Sequence, residues 1–176
     1  MKNKIRALYI GKFQPFHKGH LEFIKKILNE VDELIIAVGS AQYSHTLENP
    51  FTAGERMDMI KLALEENNID AKRFWIVAIP DVGTHSIWVA HLKSLCPSFS
   101  IVYTNNSLVK ILFEENGFKV REIPLFDRKK FSATEVRRRI ISNEPWEELV
   151  PPSVAKFIKD IKGDQRLREL FKKDIV

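Results

Sequence analysis

The sequence of 176 residues contains one cysteine, Cys96, which excludes a disulfide within the chain. A chain without disulfides suits a reducing compartment, so we expect a cytoplasmic protein. The sequence also lacks an apolar run long enough to cross a bilayer, and its first residues lack the apolar region of a signal peptide. It contains neither an internal repeat nor a low-complexity linker. These absences predict one domain over residues 1–176, without a membrane partner.

The net charge of +5 is compatible with two kinds of anionic ligand, a nucleic acid or a small nucleotide. The basic residues are scattered along the predicted helices and alternate with Asp and Glu, rather than forming one basic block. This pattern favours small anions over a nucleic-acid groove. We therefore predict small-molecule nucleotides as ligands and no nucleic-acid partner.

Apolar runs alternate with amphipathic segments along the chain, which is typical of an α/β protein with helices on both faces of a parallel sheet. We predict a Rossmann-like, doubly wound parallel five-stranded sheet with C-terminal helices over about residues 134–176. Element boundaries are predicted to within about two to four residues. The strands are expected at about 5–10, 33–39, 73–79, 99–103 and 118–123, and the helices at about 19–31, 53–67, 85–95, 105–116 and 134–142, with two more after Pro152 that separate at Gly163 and Asp164.

The loop 11–20 lies between the first predicted strand and the first predicted helix, where backbone N–H groups commonly bind phosphate. Its histidines, His17 and His20, are three residues apart and can project to the same side. Each can donate a hydrogen bond to a phosphate oxygen, and a protonated one adds positive charge. A simple turn or half of a metal site are the alternatives, but the single cysteine and the lack of an HExxH pattern argue against structural zinc.

The second strand is followed by small residues, from Gly39 to Gln42, which let a ligand approach the backbone closely. Thr52 and Glu55 then fit a capping box at the start of the next helix. Arg56 occupies the first turn of that helix, where its charge opposes the helix dipole. Its position is compatible either with a carboxylate or phosphate partner or with a solvated side chain.

The third and fourth strands are also followed by polar or aromatic candidates. Asp81 could accept hydrogen bonds from a ligand or cap the following helix. Trp88, in that helix, could belong to the core or present its face to a cationic ring. After the fourth strand, Thr104 or Asn105 is expected to be the N-cap of the next helix.

The start of the helix predicted at 134–142 provides a second candidate anion site. Ser132 and Glu135 fit another capping box, and the Thr134 hydroxyl lies beside the free N–H groups of the first turn. Arg137 follows one turn later, where its guanidinium could clamp phosphate oxygens bidentately. The sequence therefore predicts two separate phosphate-binding elements.

Three stretches resemble the signatures of one enzyme family. Residues 11–20, GKFQPFHKGH, resemble the HxGH signature of the nucleotidyltransferase superfamily in the GRFQPFHxGH form of the nicotinamide mononucleotide (NMN) adenylyltransferases. Residues 49–56 are similar to the DPFTAGER stretch of the archaeal-type members, and residues 132–137 resemble the second signature, ISSTxxR. The resemblance extends from Ile10 to about Pro152, and it implies transfer of the adenylyl group of ATP to NMN, giving NAD and pyrophosphate.

The resemblance also implies roles for individual residues. It implies Mg²⁺ bound mainly through the ATP phosphates, with no metal ligands from the protein, and a homo-oligomer, which is a hexamer in some members. The expected catalytic residues are Lys12, His17, His20 and Arg137; ATP binding is expected at Gly11, Phe13, Gly19, Asn105, Phe131, Ser132 and Thr134; and NMN binding is expected at Ser40, Thr52, Arg56, Asp81, Val82 and Trp88.

Three residues depart from the family pattern. Lys12 stands where the family often has Arg, Glu48 where some members have a basic residue, and His85 where some have Asn near the nicotinamide. Lys12 keeps the charge but loses the planar fork of Arg, and Glu48 leaves open whether that position contacts phosphate. His85 leaves open the choice between NMN and its deamidated form. Another nucleotidyltransferase of the same superfamily, acting on FMN, pantetheine phosphate or a cytidylyl acceptor, is the main alternative, and a non-enzymatic nucleotide- or RNA-binding module is the third.

Overall fold

The computed structural model describes residues 4–124, 127 and 129–174. Leu125, Phe126 and Arg128, in the loop after the last predicted strand, lie outside the described residues. The described part contains one parallel sheet with the strand order β3-β2-β1-β4-β5, which confirms the predicted doubly wound α/β fold. The strands are β1 (Arg6–Gly11), β2 (Glu33–Val38), β3 (Phe74–Ala78), β4 (Ile101–Tyr103) and β5 (Lys119–Arg121).

The described helices match the predicted positions within a few residues. They are α1 (Lys18–Leu28), α2 (Ala53–Glu66), α3 (His85–Leu95), α4 (Ser107–Glu115), α5 (Ala133–Ile141), α6 (Pro152–Asp160) and α7 (Gly163–Asp174), with short 3₁₀ helices at Ala71–Arg73 and Glu147–Leu149. None of these described helices combines the length and apolarity that a membrane span requires.

The predicted break between α6 and α7, at Gly163 and Asp164, was wrong by about one residue. The chain turns at Lys162, which has a φ of 56°, and Gly163 is already the first residue of α7. Gly163 is required for packing, because a Cβ there would lie 2.6 Å from the ring of Phe51. The glycine therefore allows α7 to approach Phe51 closely.

Two apolar cores lie on the two faces of the sheet. Every residue of β2 is buried, as expected for a parallel strand that is covered on both sides. In β1, Ala7 and Tyr9 face one core, while Leu8 and Ile10 face the other. The first core includes residues of α1, α2, α5, α6 and α7, and the second includes residues of α3 and α4.

The strand order reverses at β1, which pairs with β2 on one side and β4 on the other. The connections that follow β1 and β4 therefore diverge, and they leave a crevice at the carboxyl ends of these strands. Most of the predicted site residues lie in the loops at this end of the sheet.

Candidate active site

A cavity of about 1080 Å³ lies in this crevice, and we call it cavity 1. The first residues of three helices, α1, α4 and α5, border it, so three sets of free N–H groups favour anions there. His20 and Arg137, which lie 117 positions apart, both line it, as the sequence prediction required. The predicted site residues that line it are Lys12, Phe13, His17, Gly19, His20, Asn105, Phe131, Ser132, Thr134 and Arg137.

His17 and His20 cap α1 reciprocally. His17 is the N-cap, and its Nδ1 accepts from the backbone N–H of His20 at 3.4 Å. The Nδ1 of His20 accepts from the backbone N–H of His17 at 3.2 Å. Since both Nδ1 atoms are acceptors, a neutral ring must carry its proton on Nε2. Each histidine is therefore prepared as a hydrogen-bond donor.

Both imidazoles are neutral at physiological pH. Burial lowers the pKa of His17 to about 3, and burial, together with the charge of His17, holds the pKa of His20 well below its ordinary value. The expectation that a protonated imidazole adds charge is thus wrong for the unliganded protein. Among the described residues, the positive charges that line cavity 1 belong to Lys12 and Arg137.

Two glycines give the aromatic rings of the loop 11–20 their space. A Cβ on Gly19 would lie 2.9 Å from two atoms of the His17 ring and 3.2 Å from the Cβ of Phe131. A Cβ on Gly11 would lie 2.9 Å from the ring of Phe13. Phe13 is buried with a φ of 53°, and its ring meets His20 edge-on at 4.8 Å. The loop therefore holds the histidines by close packing.

The start of α5 brings Arg137 to cavity 1. Ser132 is the N-cap, and its Oγ accepts from the N–H of Glu135 at 3.1 Å. The predicted reciprocal bond of the capping box does not form, because the Glu135 carboxylate binds Arg138 and Arg139 instead. Only half of the predicted box is therefore present.

Arg137 is held by a backbone carbonyl and faces one carboxylate. Its Nη1 donates to the carbonyl of Gln14 at 2.8 Å, its one hydrogen bond within the described residues. Burial lowers its pKa, and the charge of Glu48, which also lines cavity 1, opposes that shift. The remaining N–H groups of the guanidinium are thus available to a ligand.

The N-cap of α4 was predicted at the wrong residue. Asn106, rather than Thr104 or Asn105, caps the helix, with its side chain accepting from the N–H of Val109 at 3.0 Å. The Asn105 side chain instead bonds both backbone groups of Ile123, at 2.7 and 3.2 Å. The side chain of an Asn can either cap a helix or bond a distant backbone. The local sequence does not show which of the two Asn105 does, because its partner Ile123 is 18 residues away.

A second cavity, of about 730 Å³, adjoins the first, and we call it cavity 2. Lys12 lines both cavities and therefore lies where they meet. The predicted site residues that line cavity 2 are Gly11, Lys12, Ser40, Asp81, Val82 and Trp88; His85 lines it as well.

Asp81 is fixed by the loop after β2. Its carboxylate accepts from Ser40 Oγ at 2.6 Å, and its backbone N–H and carbonyl bond the side chain of Gln42 at 2.9 and 3.1 Å. The alternative that Asp81 caps α3 was wrong, because the N-cap is Thr84, which makes no side-chain cap bond.

Trp88 has two environments. Its ring meets Phe113 edge-on at 5.7 Å, and the residue also lines cavity 2. Packing and ligand contact are therefore compatible at this residue.

Thr52 and Arg56 do not belong to the described lining of either cavity. The capping box of Thr52 with Glu55 is complete, with distances of 3.1 and 2.9 Å. Arg56 is fully buried, which rules out the solvated alternative. Its guanidinium donates to the carbonyls of Lys12 and Gly39, both at 2.8 Å, as well as to those of Ser40 and Thr52.

The buried role of Arg56 is to join loops. Burial lowers its pKa to about 10, against the opposing charge of Asp81, so the side chain remains a cation at neutral pH. Carbonyl oxygens, rather than the expected carboxylate or phosphate, are its partners within the described residues. A role of Thr52 or Arg56 in NMN binding stays a prediction.

Sequence reasoning assigned no role to three residues of this region. Gln14 is buried and holds Arg137 through its carbonyl. Tyr9 and Phe23 stack at 4.7 Å and line cavity 1. The only sequence signal for Tyr9 was a phenol among the apolar residues at positions 7–10 of β1.

The described residues contain no group of three or more His, Cys, Asp and Glu side chains that could hold a metal ion. The potential ligands that line cavity 1 are the carboxylate of Glu48 and the neutral imidazoles. Carboxylate oxygen suits Mg²⁺, which usually keeps several waters and substrate phosphates as ligands.

Comparisons with known proteins agree with this geometry. Residues 8–139 match the model of the cytidylyltransferase-like family. The nicotinamide-nucleotide adenylyltransferase of Pyrococcus horikoshii is 53% identical over 166 residues, which cover 94% of this chain and 89% of that protein. That of Ignicoccus hospitalis is 52% identical over 171 residues, covering 97% of this chain and 100% of that protein.

A solved structure shows the same fold. It is a bifunctional NMN adenylyltransferase/ADP-ribose pyrophosphatase from Francisella tularensis, complexed with AMP and a manganese ion, with a TM-score of 0.80 and 24% identity. The match covers 98% of this chain, which spans about half of that longer protein, at 54%. Signatures, geometry and relatives converge: the chain belongs to the archaeal-type nicotinamide-nucleotide adenylyltransferases, within the cytidylyltransferase-like family.

Proposed function

We propose that this protein transfers the adenylyl group of ATP to NMN, giving NAD and pyrophosphate. The observation that carries the proposal is cavity 1, which is lined by three helix N-termini, by Lys12 and Arg137 and by the two histidines. Such a cavity suits a polyphosphate. The names of the relatives at about half identity support the same reaction.

The reaction needs no protein nucleophile. The phosphate oxygen of NMN attacks the α-phosphorus of ATP in line, and the bond from this phosphorus to the bridging oxygen breaks as pyrophosphate leaves. The protein positions the two phosphates and stabilises the developing charge. His20 donates from Nε2 to the α-phosphate, His17 binds the phosphate chain beside it, and neither has to release a proton.

The leaving group is assigned to α5. The β- and γ-phosphates are held by Thr134, by Arg137 and by the N-terminal N–H groups of the helix. A helix N-terminus and a guanidinium both suit the negatively charged, non-bridging oxygens of phosphate. Lys12, which lines both cavities, neutralises charge where the two substrates meet.

Cavity 2 is assigned to NMN. Trp88 offers a face to the cationic nicotinamide, and Asp81 offers a carboxylate oxygen that Ser40 already orients. His85 also lines this cavity. We assign to its side chain an influence on the choice between NMN, which carries an amide, and deamidated NMN, which carries a carboxylate.

The residues fit Mg²⁺ as a companion of ATP rather than as a resident ion. Mg²⁺ needs hard oxygen donors, which the ATP phosphates would supply, and Glu48 is a carboxylate that lines cavity 1 among the described residues. When bound, the ion neutralises charge on the leaving pyrophosphate.

We also propose that residues 1–176 act as one domain, that the protein forms a homo-oligomer, a hexamer by analogy with the family, and that it acts in the cytoplasm without a nucleic-acid or membrane partner. The first core supports the single domain, because it contains residues of the sheet and of α6 and α7 together. Light scattering in solution tests the oligomeric state.

The decisive experiment supplies ATP, Mg²⁺ and NMN to the purified protein and measures NAD. NAD formation supports the proposal, and its absence at high protein concentration overturns it. A parallel panel of deamidated NMN, FMN and pantetheine phosphate with ATP, and of cytidylyl acceptors with CTP, tests the alternative nucleotidyltransferases. A preference for one of these over NMN would replace the proposed substrate but keep the chemistry.

A further inference from the structure

Helix α7 binds the start of α2 through a bidentate ion pair. Arg166 donates to both carboxylate oxygens of Glu55 at 2.8 Å, and its Nη1 also donates to the carbonyl of Pro50 at 3.0 Å. The two charged side chains are only 22% and 19% exposed, so solvent screens them weakly. The pair raises the pKa of Arg166.

The carboxylate of Glu55 has a second partner. Burial by itself raises its pKa, but hydrogen bonds from Arg166 and from the Thr52 backbone N–H bring the pKa below its ordinary value. Glu55 is therefore ionised at neutral pH and joins α7 to the N-cap of α2. We call residues Pro50 to Arg56 the 50–56 segment.

The 50–56 segment continues the contact to cavity 1 through Gln14. The N–H of Phe51 donates to Gln14 Oε1 at 3.0 Å, and the Phe51 carbonyl accepts from Gln14 Nε2 at 2.9 Å. The carbonyl of Gln14 accepts from Arg137 at 2.8 Å. Gln14 and Phe51 are buried. A shift of either residue would therefore break these hydrogen bonds and leave polar groups buried without a partner.

Two further contacts tie the same segment to its surroundings. The absence of a side chain on Gly163 allows the ring of Phe51 to pack against the start of α7. At the other end of the segment, Arg56 holds the carbonyl of Lys12, a residue that lines both cavities. Helix α7 therefore touches the segment twice, and the segment touches the site twice.

We propose that Arg166 is a positioning residue for adenylyl transfer: by fixing the 50–56 segment, it sets where Gln14 holds Arg137 against the triphosphate. The inference rests on the proposed function. It extends the machinery into α7, which lies beyond residues 8–139 that the family model matches. A displaced guanidinium loses contacts made in the transition state, so turnover and pyrophosphate binding fall more than NMN binding does.

The test compares Arg166→Ala and Arg166→Lys with Arg168→Ala. Arg168 lies on the same helix, pairs with Asp164 of α7 at 2.6 Å and donates to the carbonyl of Ile140 in α5 at 3.3 Å. Among the described residues it forms no hydrogen bond with the 50–56 segment, so it controls for the loss of an α7 arginine contact that does not pass through that segment. Turnover and both KM values are measured well below the melting temperature, and pyrophosphate binding is measured by calorimetry.

We expect Arg166→Ala to lower kcat about tenfold or more, to weaken pyrophosphate binding about threefold or more, and to change the KM for NMN less than about twofold. Arg166→Lys, which keeps the charge but loses the planar fork, should recover part of the loss. Arg168→Ala should leave kcat within about twofold of the wild type.

The inference is overturned if Arg166→Ala lowers only the melting temperature, or if Arg168→Ala lowers kcat equally. If Arg166→Ala does not fold, Glu55→Gln tests the same contact, because its amide oxygen still accepts from Thr52. A wild type that forms no NAD would instead overturn the proposed function.

Discussion

The imidazole rings of His17 and His20 lie stacked, with centroids 3.6 Å apart and planes 26° from parallel. Burial opposes protonation of both rings, and at this distance the charge of His17 would also oppose protonation of His20. The pair therefore works as two neutral donors of fixed orientation.

Replacing His20 should affect the transition state more than the ground state. We expect His20→Ala to lower kcat by roughly two to four powers of ten with a modest change in the KM for ATP. His20→Asn is the control, because its amide oxygen can keep the capping bond to the His17 N–H while the Nε2–H is lost. Equal losses of ATP affinity and turnover would assign His20 to ground-state binding instead.

The histidine pair should remain neutral in acid. In NMR spectra, we expect the ring nitrogens of His17 and His20 to keep the neutral Nε2–H signature from about pH 8 to about pH 5. A titration of His17 near its ordinary value of 6.5 would contradict the burial seen here.

The same pKa shift has a consequence for stability. The unfolded chain binds a proton at His17 near pH 6.5, whereas the folded chain does so at about pH 3, so this group destabilises the fold as pH falls from 6.5 towards 3. A difference measurement of the free energy of unfolding between wild type and His17→Asn, from pH 7 to pH 4.5, isolates this contribution. No change in the difference over that range would contradict it.

Removal of the Trp88 indole should weaken the binding of NMN without weakening that of ATP. We expect Trp88→Ala to raise the KM for NMN about tenfold and to leave the KM for ATP within about twofold. Trp88→Phe should give an intermediate value. Trp75→Ala is the control, because Trp75 is half exposed on β3 and outside the described lining of cavity 2. An equal rise in both KM values would remove Trp88 from the NMN site.

A methyl group on Gly19 should disturb the His17 ring, which has no space to receive it. We expect Gly19→Ala to lower kcat about tenfold or more. Gly54→Ala is the matched control: Gly54 is exposed in α2, and its added Cβ would come no closer than 4.0 Å to the Thr52 hydroxyl. Wild-type turnover in Gly19→Ala would show that the ring can move without loss.

Glu48 opposes anion binding in cavity 1. Glu48→Gln removes this charge. In the absence of divalent cations, we expect the variant to bind ATP about two- to fivefold more tightly than the wild type. Glu65→Gln, which removes an exposed charge from α2, is the control. Weaker binding of ATP that appears only with Mg²⁺ present would indicate instead that the Glu48 carboxylate contacts the ion.

The sheet was predictable because each strand and helix carries its own periodic apolar pattern, and right-handed crossovers then leave few arrangements. The cap formed by Thr52 and Glu55 was predictable for the same reason, since its partners are three residues apart. The capping box predicted at Ser132 and Glu135 forms only one of its two hydrogen bonds, because Arg138 and Arg139 bind the Glu135 carboxylate.

The missed features depend on partners that are distant in the sequence. Gln14 binds Phe51 at a separation of 37 residues and Arg137 at 123. The burial of Arg56 depends on the loops after β1 and β2 meeting over α2, which no local pattern encodes. The low pKa of His17 likewise depends on the packing around α1.

Lys12 lies between cavity 1 and cavity 2. A compound with two nucleoside halves joined through a phosphate bridge could therefore occupy both cavities at once. Because the halves are linked, the second half binds at a high effective concentration, and the compound binds more tightly than either half alone. Such bisubstrate compounds, stripped of a reactive bond, are a natural starting point for inhibitors of this protein.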